Sequence, residues 1–155
     1  MDKDKFNLEF ELRYATRALE LHARLYKRVD LGVKAVGLVA GTAAFAAITN
    51  QNATVALVVG LILAAAQVVD VIVRPGEQAA EAKYACRDYK ALRVRLPTMT
   101  ASAAQSALEK IRCDDEVMVM DAIRDVAYND TVSECGCEPQ HRIQLTKFSR
   151  IISAI

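Results

Sequence analysis

The sequence predicts an all-α protein organised around a two-helix transmembrane hairpin. Two apolar stretches, residues 35–48 and 53–73, flank the uncharged tetrapeptide Thr49-Asn50-Gln51-Asn52, the remaining residues are rich in charge, and no segment reads as a convincing strand. The hairpin, taken as residues 31–73, follows an amphipathic N-terminal helix over residues 1–30 and precedes a helical cytoplasmic body over residues 74–155, all within a single domain.

Residues 5–30 place Leu8, Leu12, Ala15, Leu19, His22, Tyr26 and Val29 at alternating steps of four and three, which is a helical stripe. A second row through Phe10, Tyr14, Ala18, Leu21 and Leu25 widens the apolar face, so this helix is expected to pack against more than one neighbour. His22 falls on the stripe and reads as a hydrogen-bonded packing residue rather than a ligand or a base. Only Gly32 is available to bend the chain before the first apolar stretch, so the helix can run on into it as one rod.

The second apolar stretch, ATVALVVGLILAAAQVVDVIV, has the length needed to cross a hydrocarbon core of about 30 Å at about 1.5 Å per residue. Each Leu, Ile or Val favours insertion by roughly 0.3–0.6 kcal/mol, against about 2.5–3.5 kcal/mol for a central Asp, and Asp70 lies near the segment end. The first span reaches full length only by including Lys34, whose ammonium must extend toward an interface. The competing reading is a hairpin buried in the core of a soluble helical protein. Arg24, Lys27, Arg28 and Lys34 precede the hairpin and Arg74, Lys83, Arg87, Lys90, Arg93 and Arg95 follow it, which predicts a multi-pass inner-membrane protein with both termini cytoplasmic.

Beyond the hairpin, Arg74-Pro75-Gly76 is expected to kink or end the membrane helix, and a new helix starts near Glu77 and stops at Pro97. Further helices are expected over residues 98–112, with Thr100 or Ser102 as cap, over residues 116–128, and over residues 140–155. Residues 129–139, NDTVSECGCEP, form the most loop-like part of the chain.

Composition narrows the function. Lys+Arg 20 nearly balances Asp+Glu 19, so the basic excess of nucleic-acid binders is lacking and no direct nucleic-acid contact is expected. The N-terminus has no apolar core of a cleavable signal, leaving the first span as its own insertion signal. Cys86, Cys113, Cys135 and Cys137 lie on the cytoplasmic side by this topology, where thiols stay reduced. Cys135-Gly136-Cys137 with His141 and Cys113 matches no standard zinc spacing, and no cofactor is expected. The acidic residues Asp114, Asp115, Glu116, Asp121 and Asp125 read as the solvated face of a short helix, and no catalytic motif is present, so no enzyme activity is expected.

Two sets of candidate functional residues remain. Gly37 and Gly41 form G-x-x-x-G, extended by Ala40/Ala44 and Ala43/Ala47, with Gly60 and Ala64 as a matching strip, and small residues of this kind let helices approach closely in lipid, within one hairpin or between subunits. With the turn centred between Asn50 and Gln51, Lys34 lies level with Gln67 and within a turn of Asp70. These polar groups either neutralise one another and fix the hairpin's depth, or line an aqueous path in a ring of subunits.

The order of a basic amphipathic helix, a close membrane hairpin, a charged helix containing Tyr84 and Tyr89, and a helical body with Ala127-Tyr128-Asn129 resembles the SLATT family of small bacterial two-span membrane proteins associated with SMODS nucleotidyltransferases and SLOG sensors. The segments YKALRVRL and DVAYND carry the resemblance, which covers nearly the whole chain in layout. It implies a homo-oligomeric effector of an antiphage system, forming a pore or breaching the inner membrane on a signal from a cytosolic sensor or nucleotide-second-messenger partner. The residues supplying that activity would be the hairpin itself. The alternative is a non-conducting membrane anchor that recruits a soluble partner through its cytoplasmic helices.

Overall fold

The computed structural model describes residues 3–49 and 53–154; of the turn expected over residues 49–52, Thr49 is the last residue of a helix and residues 50–52 lie outside the described residues, among which the chain is helical with no strand. Its contacts divide it into two units, Met1–Leu25 with Ala79–Ile155, and Tyr26–Gln78.

Helix α1, Lys3–Thr49, is continuous through Gly32, where a bend had been available. A glycine costs a helix only about 1 kcal/mol relative to Ala, and the Asp30–Lys34 ion pair at 2.8 Å spans it at i,i+4. Helix α2, Ala53–Val73, ends where Arg74 takes φ +46°, a left-handed conformation that stops propagation. Helix α3, Pro75–Arg95, begins with proline in the first turn, where a missing amide donor costs nothing, so the expected break at Arg74-Pro75-Gly76 is present.

In the first unit, the two rows of α1 predicted from spacing face different neighbours. Leu8, Leu12, Leu19 and Ala23 join Ala82, Cys86, Tyr89 and Leu92 of α3, Leu96, and Ala104 and Leu108 of helix α4, Ala101–Asp114. Ala18 and Leu21, with Tyr14 and Leu25 beside them, join Ile123, Val126 and Ala127 of helix α5, Asp121–Glu134, and Ile152 of helix α6, Lys147–Ser153. His22, on the first of these rows, is 0% exposed. Ion pairs stitch the same layers together: Arg17 to Asp130 at 2.7 Å, Glu20 to Lys90 at 2.7 Å, and Glu11 to Arg112 at 3.1 Å.

Four boundaries differ from the sequence expectation, each for a local reason. Thr100 caps α4 by accepting from the Ala103 amide, and a 3₁₀ turn at Leu96–Thr98 fills the expected start of that helix. Asp115 Oδ1 accepts from the Val117 amide at 3.0 Å, an Asx turn that holds residues 115–120 out of the helix expected from residue 116. Residues 129–134, expected as loop, continue α5, because Thr131 and Val132 are buried and the Thr131 and Ser133 hydroxyls donate to the carbonyls four residues back. The stop comes at Gly136, φ +67°, where the Cys137 amide reaches back to the Val132 carbonyl at 3.0 Å. The expected helix over residues 140–155 shortens to α6 because Thr146 caps it, accepting from the Ser149 amide at 3.1 Å.

The family-like segments turn out to be packing residues. Tyr128 meets Phe10 and Tyr14 edge to face, with ring centroids 5.9 Å and 6.4 Å apart, while Ala127 is buried and Asp130 holds Arg17. In YKALRVRL, Tyr89, Leu92 and Leu96 are buried.

Candidate functional site: an apolar helix and its polar base

The unit Tyr26–Gln78 contains α2, a helix in which no residue is buried. Leu57 is 67% exposed, Leu61 64% and Ile72 74%, although the helix carries only Asp70 as a charge. Among the described residues, one helix, running from Ala53, is long and apolar enough to cross a membrane. The second half of α1 has similar exposed apolar side chains, with Leu38 72% and Val39 67% exposed. Exposed apolar surface on this scale marks an interaction site, because each side chain left in water forgoes about 1.5–3 kcal/mol of burial.

What is shielded is shielded on one face. Ala56, Val59, Leu63, Ala66 and Asp70 of α2 are half-buried and recur at steps of three and four. In α1, Val33, Gly37, Ala40, Gly41 and Ala43 are the less exposed positions, on a similar spacing. A Cβ built at Gly37, Gly41 or Gly60 meets no atom within 4 Å, and Ala64 is exposed, so among the described residues nothing presses on the small-residue strip at those positions. The side chains of Ala44 and Ala47 lie outside the described residues.

At the other end of these helices the polar groups sort differently from the sequence reading. Lys34 Nζ pairs with Asp30 Oδ2 at 2.8 Å, one turn earlier on the same helix, rather than with Asp70. Asp70 is half-buried, while Gln67 is exposed. Asp30, missed from sequence, is the better-shielded partner, with its side chain 20% exposed against 64% for Lys34. Its i,i+4 spacing to Lys34 was the signal available. A Cβ on Gly76 would stand 3.2 Å from Asp30 Oδ1, so glycine there lets the first turn of α3 approach the carboxylate closely. Arg74 completes the base by bonding the Val71 carbonyl through Nε and Glu77 through Nη1 at 3.3 Å.

The arrangement is one of cations and carboxylates gathered at one end of an apolar pair of segments. Elsewhere, burial pushes the thiols of Cys86 and Cys135 up from their ordinary range. Cys113 is exposed, Cys135 and Cys137 are half-buried, and no group of three metal-ligating side chains occurs among the described residues. The acidic run does not line one helix face: Asp114 ends α4, Asp115 accepts from the Tyr89 hydroxyl at 3.0 Å, and Asp121 opens α5. No family model, no curated protein and no solved structure matches the chain.

Proposed function

We propose that this chain is a homo-oligomeric inner-membrane effector that permeabilises the bilayer, with residues 31–73 as its spanning hairpin and both termini cytoplasmic. The observation that carries the reading is α2 itself, a 21-residue apolar helix without a buried residue, whose cost of exposure hydrocarbon removes. The matching half-buried stripes on α1 and α2 support an antiparallel pair. The charge-free Thr49-Asn50-Gln51-Asn52 between them supports translocation of the turn, with the basic flanks retained inside.

The Asp30–Lys34 pair with Asp70 sets the cytoplasmic depth of the hairpin and supplies the polar groups that a water-filled path through a ring would need. In the SLATT-like reading, a cytosolic sensor or a nucleotide second messenger shifts the assembly between closed and open packings of the hairpins, and the result is death or dormancy of an infected cell. The test is efflux of an entrapped dye from liposomes holding the purified chain, together with membrane potential in expressing bacteria. Release that falls severalfold in the Lys34→Leu/Asp70→Leu double variant supports a lined path. Sealed liposomes and an unchanged potential under stimulation overturn permeabilisation, and a stoichiometric cytosolic protein co-purifying with the chain would then support the anchor role.

A further inference from the structure

We infer that copies of this chain join head to tail, the basic and apolar outer face of α6 on one copy seating in a carboxylate-rimmed groove between α3 and α4 of the next. The inference rests on the oligomeric reading above and names its contact.

The C-terminal face comes first. From residue 139 to the end the chain has three cations, Arg142, Lys147 and Arg150, and no acid. Helix α6 buries Ser149 and Ile152 against its own bundle, which turns Lys147, Phe148, Arg150 and Ile151 outward, with Phe148 51% and Ile151 62% exposed. Neither Lys147 nor Arg150 has an acidic partner among the described residues.

A groove of about 370 Å³ on the same unit has the opposite character. Tyr84 and Ile111 supply apolar wall, and Glu81, Asp88, Asp114 and Glu116 stand around it, against Lys110 in the lining and Arg87, whose guanidinium lies 5.6 Å from the Tyr84 ring centroid. None of those four carboxylates forms an ion pair among the described residues.

One chain does not bring the two surfaces together. The groove belongs to α3 and α4, which pack on the Leu8–Leu12–Leu19 row of α1, whereas α6 packs with α5 on the Ala18–Leu21 row. Each copy therefore presents unpaired positive charge with exposed aromatic surface at one place and unpaired negative charge with an apolar wall at another. A contact of that kind is heterologous, and it closes into a ring when its rotation permits. Confinement of the copies by membrane helices raises their effective concentration, so a patch of modest area suffices.

Charge reversal in the full chain, reconstituted in nanodiscs and weighed by native mass spectrometry, tests the contact. Lys147→Glu/Arg150→Glu is one variant, Asp114→Lys/Glu116→Lys the second, and the third combines all four. Asp114 ends α4 and Lys147 opens α6, so those two reversals agree with the helix dipoles and the fold is retained. Helicity by circular dichroism checks this. Each two-residue reversal is expected to weaken assembly tenfold or more, and the four-residue variant to restore most of it. Oligomers that survive both reversals overturn the contact, as does a wild-type chain that stays monomeric. Loss on the α6 side without rescue by the combination also overturns it and assigns the basic face to anionic lipid. Dye efflux is read alongside: assembly with sealed liposomes removes the permeabilising role and leaves this contact standing.

Discussion

Asn129 holds the backbone of Ile143 at both ends: its Nδ2 donates to the Ile143 carbonyl and its Oδ1 accepts from the Ile143 amide, each at 2.8 Å across fourteen residues. A side-chain amide here does what a neighbouring strand would do, and it lets a non-helical segment leave the end of α5 and return α6 to the core through Ile152, which is 1% exposed. Asn129→Ala removes both bonds. At this exposed position the expected cost is about 1–2 kcal/mol, read as a lower thermal midpoint and faster amide exchange at Ile143 and through α6. Unchanged exchange at Ile143 would show that α6 is held by Ile152 and Ser149 alone.

The glycines of the unit Tyr26–Gln78 divide into two kinds. Gly76→Ala puts a Cβ 3.2 Å from Asp30 Oδ1, tighter than ordinary contact, so the carboxylate must move and its bond to Lys34 loosens. Gly37→Ala and Gly60→Ala meet nothing, and each should strengthen its helix by about 0.5–1 kcal/mol. Thermal melts in detergent micelles should therefore fall for the first and hold or rise for the other two. Any defect of Gly37→Ala or Gly60→Ala should appear only in the oligomer fraction, where a second copy is present to fill the space.

Tyr89 makes alkaline stability a readout of the helical bundle formed by the first unit. Burial, reinforced by the Asp115 carboxylate that accepts its hydroxyl, pushes the phenol up to about 12, against about 10 for a free tyrosine. The native state therefore keeps a proton that the unfolded chain releases, so stability is whole below about pH 10 and falls as pH rises toward the native value. Burial raises Tyr14 in the same direction. A tyrosinate absorbance titration should show a late step, near pH 12, that belongs to Tyr89. Tyr89→Phe should delete that step and flatten the alkaline loss of stability.

The four thiols should react in an order set by burial. Cys113 is exposed and should be modified first by a soluble disulfide reagent, while Cys135 and Cys137 are half-buried and follow. Cys86 is 6% exposed, with its Sγ 3.8 Å from the Thr16 carbonyl, and burial raises its pKa. It should react only as fast as the bundle opens. Single-cysteine variants followed by mass spectrometry give the order, and rapid labelling of Cys86 under native conditions would show that α1 and α3 separate readily.

The one-dimensional pattern determined the elements whose signal is local and repeated. The two apolar rows of α1, the length and apolarity of α2, and the break at Arg74-Pro75-Gly76 could all be read from spacing and from the missing donor of proline, and each is where it was expected. Tertiary structure decided what depends on a partner far along the chain. Asp30, one turn away on the same helix, pairs with Lys34 at 2.8 Å, because an i,i+4 pair is formed by the helix itself, without closing a loop. Residues 129–134 read as loop by composition, yet burial of Thr131 and Val132 outweighs their weak helix propensity, and residues 142–146 are drawn out of helix by the Asn129 clamp and the Thr146 cap. Local propensity is worth tenths of a kcal/mol per residue, whereas a buried side chain contributes about 1.5–3 kcal/mol, so contacts set the ends wherever the two disagree.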